Sequence, residues 1–352
     1  MSELKTNKIS TNDQNNVAID NALGLKSYDT AGRDALTSVA GDMIYNTTDS
    51  KVQTYNGSSW DSLGNPFVNV DFLVIAGGGC GAQNVNGNGY GSGGGGAGGY
   101  RTSYGSGSIS GGNNEVETAY KITADGSTTY TVSIGAGSGT ERIPASNSKF
   151  DEIISIGGGS SENYNSYNGQ TGGSGSGVTG WPSSEIGYGL EGQGSNGGAS
   201  SFAGAGGGGA SAVGGNASSP NGGAGGAGQS SSITGSSVTR AGGGGGAGAA
   251  SGSGGSGGTG GGGAGANGAN GGAGLTGTNG TVNTGSGGGG GSGGTSPGSD
   301  SNGGSGIVIL RWATADATIG ATRTGLTDGG VQTDGSDSYI VFTAGTGTVS
   351  WS

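Results

Sequence analysis

The chain has 352 residues, of which 95 are glycine and five proline, with 29% hydrophobic, 6% aromatic and 10% charged residues and a formal net charge of −11. So little apolar material excludes a large conventional core, and twelve scattered Lys and Arg residues exclude a phosphate-binding surface, so no nucleic-acid partner is expected. There is no histidine, which removes Ser/His/Asp and Cys/His catalysis, and the single cysteine, Cys80, cannot form an intrachain disulfide.

The opening Met1-Ser2-Glu3-Leu4-Lys5-Thr6-Asn7-Lys8 contains no apolar signal region, so synthesis in the cytoplasm without the usual export signal is expected. No apolar run reaches membrane length. Residues 16–20 and 24–28 read as short strands, with a brief helix around Arg33-Asp34-Ala35-Leu36. Gly41 to Trp60 reads as a three-stranded meander: Met43–Tyr45, Lys51–Tyr55, a type I′ turn at Asn56-Gly57, and Ser58–Trp60. Three short strands with so few apolar residues are not stable alone, so residues 1–65 are expected to associate with copies of themselves.

From Pro66 onward the strand signals strengthen at 70–76, 116–123, 129–134 and 152–156, and Ile307–Trp312 returns to complete their sheet. Between them lies the glycine block, with runs such as Gly206–Gly209, Gly242–Gly246 and Gly287–Gly291. A collagen triple helix does not fit. Glycine is in phase from Gly262 through Gly265, Gly268, Gly271, Gly274 and Gly277 to Gly280, but then the register breaks, and proline is almost absent. Disorder fits poorly too, because apolar strands bracket the block and its spacers are mostly Ala, Ser, Thr and Asn.

A third conformation satisfies both facts. Glycine in an extended helix with three residues per turn keeps its N–H, so helices laid side by side bond N–H to C=O between neighbours. Glycine is then required wherever a helix meets another, and small residues are tolerated outside. Gly222-Gly223-Ala224-Gly225-Gly226-Ala227-Gly228 has this two-in, one-out pattern, as do Ser253, Ser256 and Thr259 among their glycines. After Ala313, Tyr339–Thr343 and Thr348–Trp351 read as a hairpin joined through Ala344-Gly345-Thr346-Gly347. The expected fold is mainly β with a polyglycine II helix sandwich, small β modules at both ends and little or no α-helix. Three regions follow: 1–65, 66–312 and 313–352.

Catalytic signals are sparse. Asp151-Glu152, Glu185 and Glu191 are the carboxylates a sugar-degrading enzyme would need, but they sit in no recognisable frame, so no enzyme is expected. Asp328, Asp334, Gly335 and Asp337 cluster oxygen ligands but read better as a polar turn than as a calcium loop, so no metal or cofactor is expected. Cys80 lacks basic neighbours and reads as a buried, inert thiol. Recognition signals are richer. Ser160–Gly169, with Tyr164 and Tyr167, and Trp181 to Tyr188 have the Tyr, Ser, Asn, Gly and Trp composition of antibody recognition loops. Tyr90, Tyr100, Arg101 and Tyr104 form a second candidate patch. The competing reading is that these aromatics cap the ends of the glycine helices.

Four segments carry a resemblance: Phe72-Leu73-Val74-Ile75-Ala76-Gly77-Gly78-Gly79, Gly93–Gly96 with Ala97-Gly98-Gly99-Tyr100-Arg101, Tyr130–Gly137, and Gly304–Arg311. Together they resemble the glycine-rich domain of bacteriophage tail fibres and receptor-binding adhesins, especially fibre proteins of marine phages. The meander is similar to a module of such fibre shafts, and Ser2–Ile9 resembles their virion-proximal starts. The resemblance implies a homotrimeric virion protein. Its N-terminal region would join other tail or baseplate proteins, and loops at the ends of its glycine helices would bind a bacterial surface glycan or outer-membrane protein. The chain departs from the adhesin pattern in the residues after Trp312, which displace those loops from the extreme tip. The rival expectations are a capsid or tail decoration fibre without its own receptor, a self-assembling extracellular filament, and a depolymerase.

Overall fold

A computed structural model describes residues 24–49, 51–63, 67–83, 89–107, 109–162, 168–180, 185–296 and 299–352. The expected strand at 16–20 lies outside them. The chain divides into two compact units, Met1–Asn65 and Pro66–Ser352.

In the first unit, β1 (Ser27–Tyr28), β2 (Met43–Asn46), β3 (Lys51–Tyr55) and β4 (Trp60–Leu63) form one sheet in sequence order, and α1 (Thr30–Asp34) precedes β2. Asp29 caps α1, its Oδ1 accepting from the Gly32 N–H at 2.7 Å. The β3–β4 turn differs from the expected type I′. Tyr55 pairs with Trp60 across a four-residue loop, and Gly57 has φ +105° while Asn56 is not left-handed. Asn56 closes the loop instead: its Oδ1 accepts from the N–H groups of Ser58 (2.8 Å) and Ser59 (2.9 Å). The register puts Ile44, Asn46 and Gln53 on one face and Met43, Tyr45, Val52 and Leu63 on the other. The first face is buried and mostly polar. Asn46 Nδ2 donates to Gln53 Oε1 (3.1 Å), and Arg33 of α1 reaches the same oxygen at 3.0 Å. The second face is open, with Met43 45% and Leu63 51% exposed.

The second unit is built on β5 (Phe67–Ile75), β6 (Tyr100–Thr102), β7 (Tyr120–Thr123), β8 (Tyr130–Ser133), β9 (Ser148–Phe150) and β10 (Ile153–Ser155). It adds the hairpin of β11 (Gln229–Ser231) and β12 (Val238–Arg240), then β13 (Ile307–Ala313), β14 (Leu326–Asp334) and β15 (Asp337–Val349). All but β11 and β12 join one antiparallel sheet, ordered β10-β9-β8-β15-β13-β5-β6, with β14 on β15 and β7 on β5. Alternation along β5 and β13 buries both faces. Val70, Phe72, Val308, Leu310 and Trp312 enter one core with Phe150, Phe342 and Trp351, whereas Leu73, Ile75, Ile307 and Ile309 enter a second with Tyr100, Ala97 and Ala241. The C-terminal segment is therefore not a separate module, because β15 lies between β13 and β8 at the centre of this sheet. Nor does it contain the expected hairpin. Ala344-Gly345-Thr346-Gly347 continues one 13-residue strand. At this point β8 takes over from β13 as a neighbour of β15: β13 pairs up to Phe342 and β8 from Thr346, while the chain just before β14 stays alongside, and Gly345, at φ +96°, lies so close to Gly325 that a side chain would strike that residue's carbonyl.

Between the strands the chain runs as extended helices whose amides bond to neighbours. Segment 91–99 shows the rule. Gly94 and Ala97 donate to Ala205 and Gly208, Gly95 and Gly98 to Gly288 and Gly285, and Gly96 and Gly99 to Gly159 and Ile156. The partner changes with a period of three, as a helix of three residues per turn requires. The carbonyls rotate the same way, accepting from Gly177 and Ser174, from Ala247 and Gly244, and from Gly79 and Ala76. Segment 91–99 thus has six neighbours, and so do 203–210, 241–249 and 285–292. Their glycines are obligatory for this reason: a methyl group on Gly95 would collide with the Gly79 carbonyl, and one on Gly244 with that of Gly288. The glycine helices continue directly from strands: 76–82 leaves β5, 91–99 enters β6, 156–161 leaves β10 and 301–306 enters β13.

Helices at the rim follow the two-in, one-out pattern. Ala224, Ser253, Ser256 and Thr259 are exposed, whereas Gly223, Gly226, Gly255 and Gly258 are buried. The collagen-like phase of Gly262 to Gly280 is two such rim segments. Gly265 and Gly268 donate to Gly255 and Gly252, the chain turns at Asn270 and Gly271 (φ +45° and +80°), and Gly274 and Gly280 donate to Ser296 and Asn302.

Candidate binding surface

Pairing directions give the lattice two ends. Segment 91–99 ends at β6, and 241–249 begins at β12, so the chain meets the strands at one end and reverses in loops at the other. Backbone bonds tie the loop end together: Gly91 N–H to Phe202, Ala249 N–H to Pro220, Ala250 N–H to Gly89 and Gly293 N–H to Tyr90. Tyr90 and Phe202 pack there with ring centroids 5.6 Å apart. Phe202 is 44% exposed and sits at φ +64°, a left-handed conformation that costs a bulky side chain about 1–3 kcal/mol. Glycine nearby would have avoided that strain, so Phe202 is held in place by its surroundings. It is a residue that sequence reading missed, since nothing in Ser200-Ser201-Phe202 marks it.

Tyr90, Tyr100, Arg101 and Tyr104, expected as one patch, are not brought together. Tyr90 is at the loop end, and Gly180, just before Trp181, is there too, donating to the Gly91 carbonyl. Tyr164, Tyr167 and Trp181 lie outside the described residues. Tyr100, Arg101 and Tyr104 are at the strand end, separated from Tyr90 by a nine-residue helix, about 28 Å at 3.1 Å per residue. Tyr100 is fully buried in the second core, where desolvation pushes its phenol pKa up, so it cannot meet a receptor. The Arg101 guanidinium is committed to Glu117 (2.8 and 2.5 Å) and the Ile154 carbonyl (3.1 Å). The Tyr104 ring lies 5.0 Å beneath the guanidinium of Arg311. These three residues hold the strand end together. Tyr188 is 54% exposed, and its carbonyl accepts from Gly172.

The remaining polar groups have structural roles. Asp334 and Asp337 each bond Arg311 at 2.9 Å, and Asp328 bonds Arg323 at 2.9 Å, which holds the Asp328 carboxyl below its ordinary range. The three carboxylates are thus divided between two arginines. Asp151 accepts from the Tyr120 hydroxyl at 2.6 Å. Cys80 is buried, and desolvation pushes its thiol pKa up to about 12, so the thiolate is not populated at neutral pH. Among the described residues no group of three or more Cys, Asp and Glu is placed to hold a metal, and no helix is long and apolar enough to cross a membrane.

The glycine body is therefore a lattice of backbone bonds with strands closing one end and, among the described residues, Tyr90 and Phe202 packed at the other. Comparison with known proteins gives no match among curated proteins and none among solved structures. A family model described as a glycine-rich domain matches residues 47–313, a span that begins in the first unit and ends with β13. On the strength of that match, the chain belongs to the glycine-rich domain family.

Proposed function

We propose that the protein is a structural virion fibre component of the phage tail-fibre type, attaching to a bacterial surface glycan or outer-membrane protein through the loop end of its glycine body. The observation that carries this reading is the six-neighbour packing of 91–99, 203–210, 241–249 and 285–292. A backbone so fully bonded gives rigid support to the reversals at its end, whose side chains are free to vary. The strained, exposed Phe202 beside Tyr90 suits a contact surface. Self-association, with a homotrimer as the expected form, is the role proposed for the first unit. Its apolar face of Met43, Tyr45, Val52 and Leu63 is open while its polar face is covered, and neither apolar core contains any of its residues.

Exchange of residues 160–190 together with 199–203 between related fibres tests the receptor reading. Host binding transfers with the loops if the reading is right. Unchanged host range would instead assign a spacer or decoration fibre, and release of reducing ends from host polysaccharide would assign a depolymerase.

A further inference from the structure

The first unit has a concavity on the sheet face opposite Met43, Tyr45, Val52 and Leu63. Between α1 and the β3–β4 hairpin lies a cleft of about 380 Å3, within the size range of small-ligand sites. One wall is the cross-strand pair Tyr55 and Trp60, whose half-buried rings have centroids 5.4 Å apart at 53°. Arg33 and Asp34 of α1 and Ser58 and Ser59 of the hairpin loop also line it. Hydrogen bonds hold Arg33, Asp34 and the hairpin loop in place. Arg33 is anchored by Gln53 Oε1 at 3.0 Å and bonds Asp34 Oδ1 at 2.8 Å, leaving the Asp34 side chain 58% exposed. Asn56 Nδ2 donates to Ser59 Oγ (2.9 Å) and to Asp61 (2.8 Å), locking the loop that presents both serines. Ser38, which also lines the cleft, has a hydroxyl with no hydrogen-bond partner although its oxygen is buried.

We infer that this cleft is a binding site for an uncharged sugar ring of a surface glycan. The apolar C–H face of a pyranose packs on the Tyr55–Trp60 rings, while the Asp34 carboxylate and the Ser38 hydroxyl meet its hydroxyl groups. Arg33 is already paired to Asp34, so the site carries no net positive charge to favour a sulfated or phosphorylated sugar. Rings and carboxylate are held before the ligand arrives, which reduces the ordering cost of binding. The site lies in the first unit and is independent of the loop-end reading.

Saturation-transfer NMR on the full chain, with the methyl glycosides of glucose, galactose, mannose and N-acetylglucosamine as probes, tests it. The expected result is transfer to ring C–H protons of at least one probe, with affinity reduced about tenfold in Trp60→Ala and in Asp34→Asn. Tyr90→Ala leaves the signal intact, which separates this site from the loop end. Asp34 is exposed, so Asp34→Asn preserves the fold and decides the matter if Trp60→Ala unfolds the unit. Absence of transfer to all four probes, or an undiminished signal in Asp34→Asn, overturns the inference.

Discussion

Interior and rim helices of the glycine body share one backbone conformation but spell it differently. Segments 203–210, 241–249 and 285–292 carry four or five consecutive glycines, and 91–99 carries Gly93–Gly96; each has six neighbours. At the rim, 221–228 and 252–259 interrupt glycine at every third position, and Ala224, Ser253, Ser256 and Thr259 point to solvent. The length of an uninterrupted glycine run thus reports how many sides of a helix are covered. Here hydrogen bonding between backbones takes the place that side-chain burial fills in an ordinary core, and each added methyl group is an obstruction.

The largest effect belongs at the centre. Gly244→Ala forces a methyl into the Gly288 carbonyl with a bonded helix on every side, and is expected to cost about 3 kcal/mol or more, seen as a lowered midpoint in thermal unfolding or as failure to fold. Gly255→Ala, at an inward-facing rim position against the Gly223 carbonyl, is expected to cost about 2 kcal/mol in the same assay, because a rim segment can shift outward. Should the two variants unfold alike, run length would carry no information about covered sides. Cys80 offers a label from inside the lattice. Its alkylation by iodoacetamide at pH 8 is expected to follow unfolding, accelerating in Gly244→Ala in step with the stability lost.

Charge gives a smaller contrast. Desolvation raises the pKa of Asp300 above 3.8 and of Glu141 above 4.5, and repulsion from the Asp300 carboxylate raises Glu141 further. A carboxyl raised in the folded state contributes stability that is full below its unfolded value and is lost as pH rises through the folded value. Lowering the pH from 7 through the raised folded values toward 4.5 should therefore relieve this destabilisation of the wild-type second unit, and Asp300→Asn should flatten that dependence in a melting series. The smallest change is expected for Ser256→Ala, which alters only an exposed position and should stay within about 0.5 kcal/mol of wild type.

Much of this division was legible in the residues. The outward positions Ala224, Ser253, Ser256 and Thr259 follow from spacing alone, and the strands β5 and β13 from their apolar runs. What was not legible required knowledge of partners. Gly345 and Gly347 read as a turn because glycine in a strand sequence usually marks one, whereas here a long strand changes neighbours and a second chain segment passes close by. Tyr100 beside Arg101 read as a surface patch, but the strand end of the lattice needs a large ring to fill the space between alanines Ala97 and Ala241, and Arg101 has Glu117. Phe202 gave no signal because its exposure depends on the turn that holds it at positive φ.

Amide hydrogen exchange of the intact chain, read residue by residue or on short peptides, tests the lattice most directly. The account predicts that amides of 94–99 and 243–248 exchange as slowly as those of β5 and β13, because each is bonded to a neighbouring helix and opens only when the unit unfolds. Exchange of those glycine amides at the rate of an unstructured peptide, with β5 and β13 still protected, would contradict it.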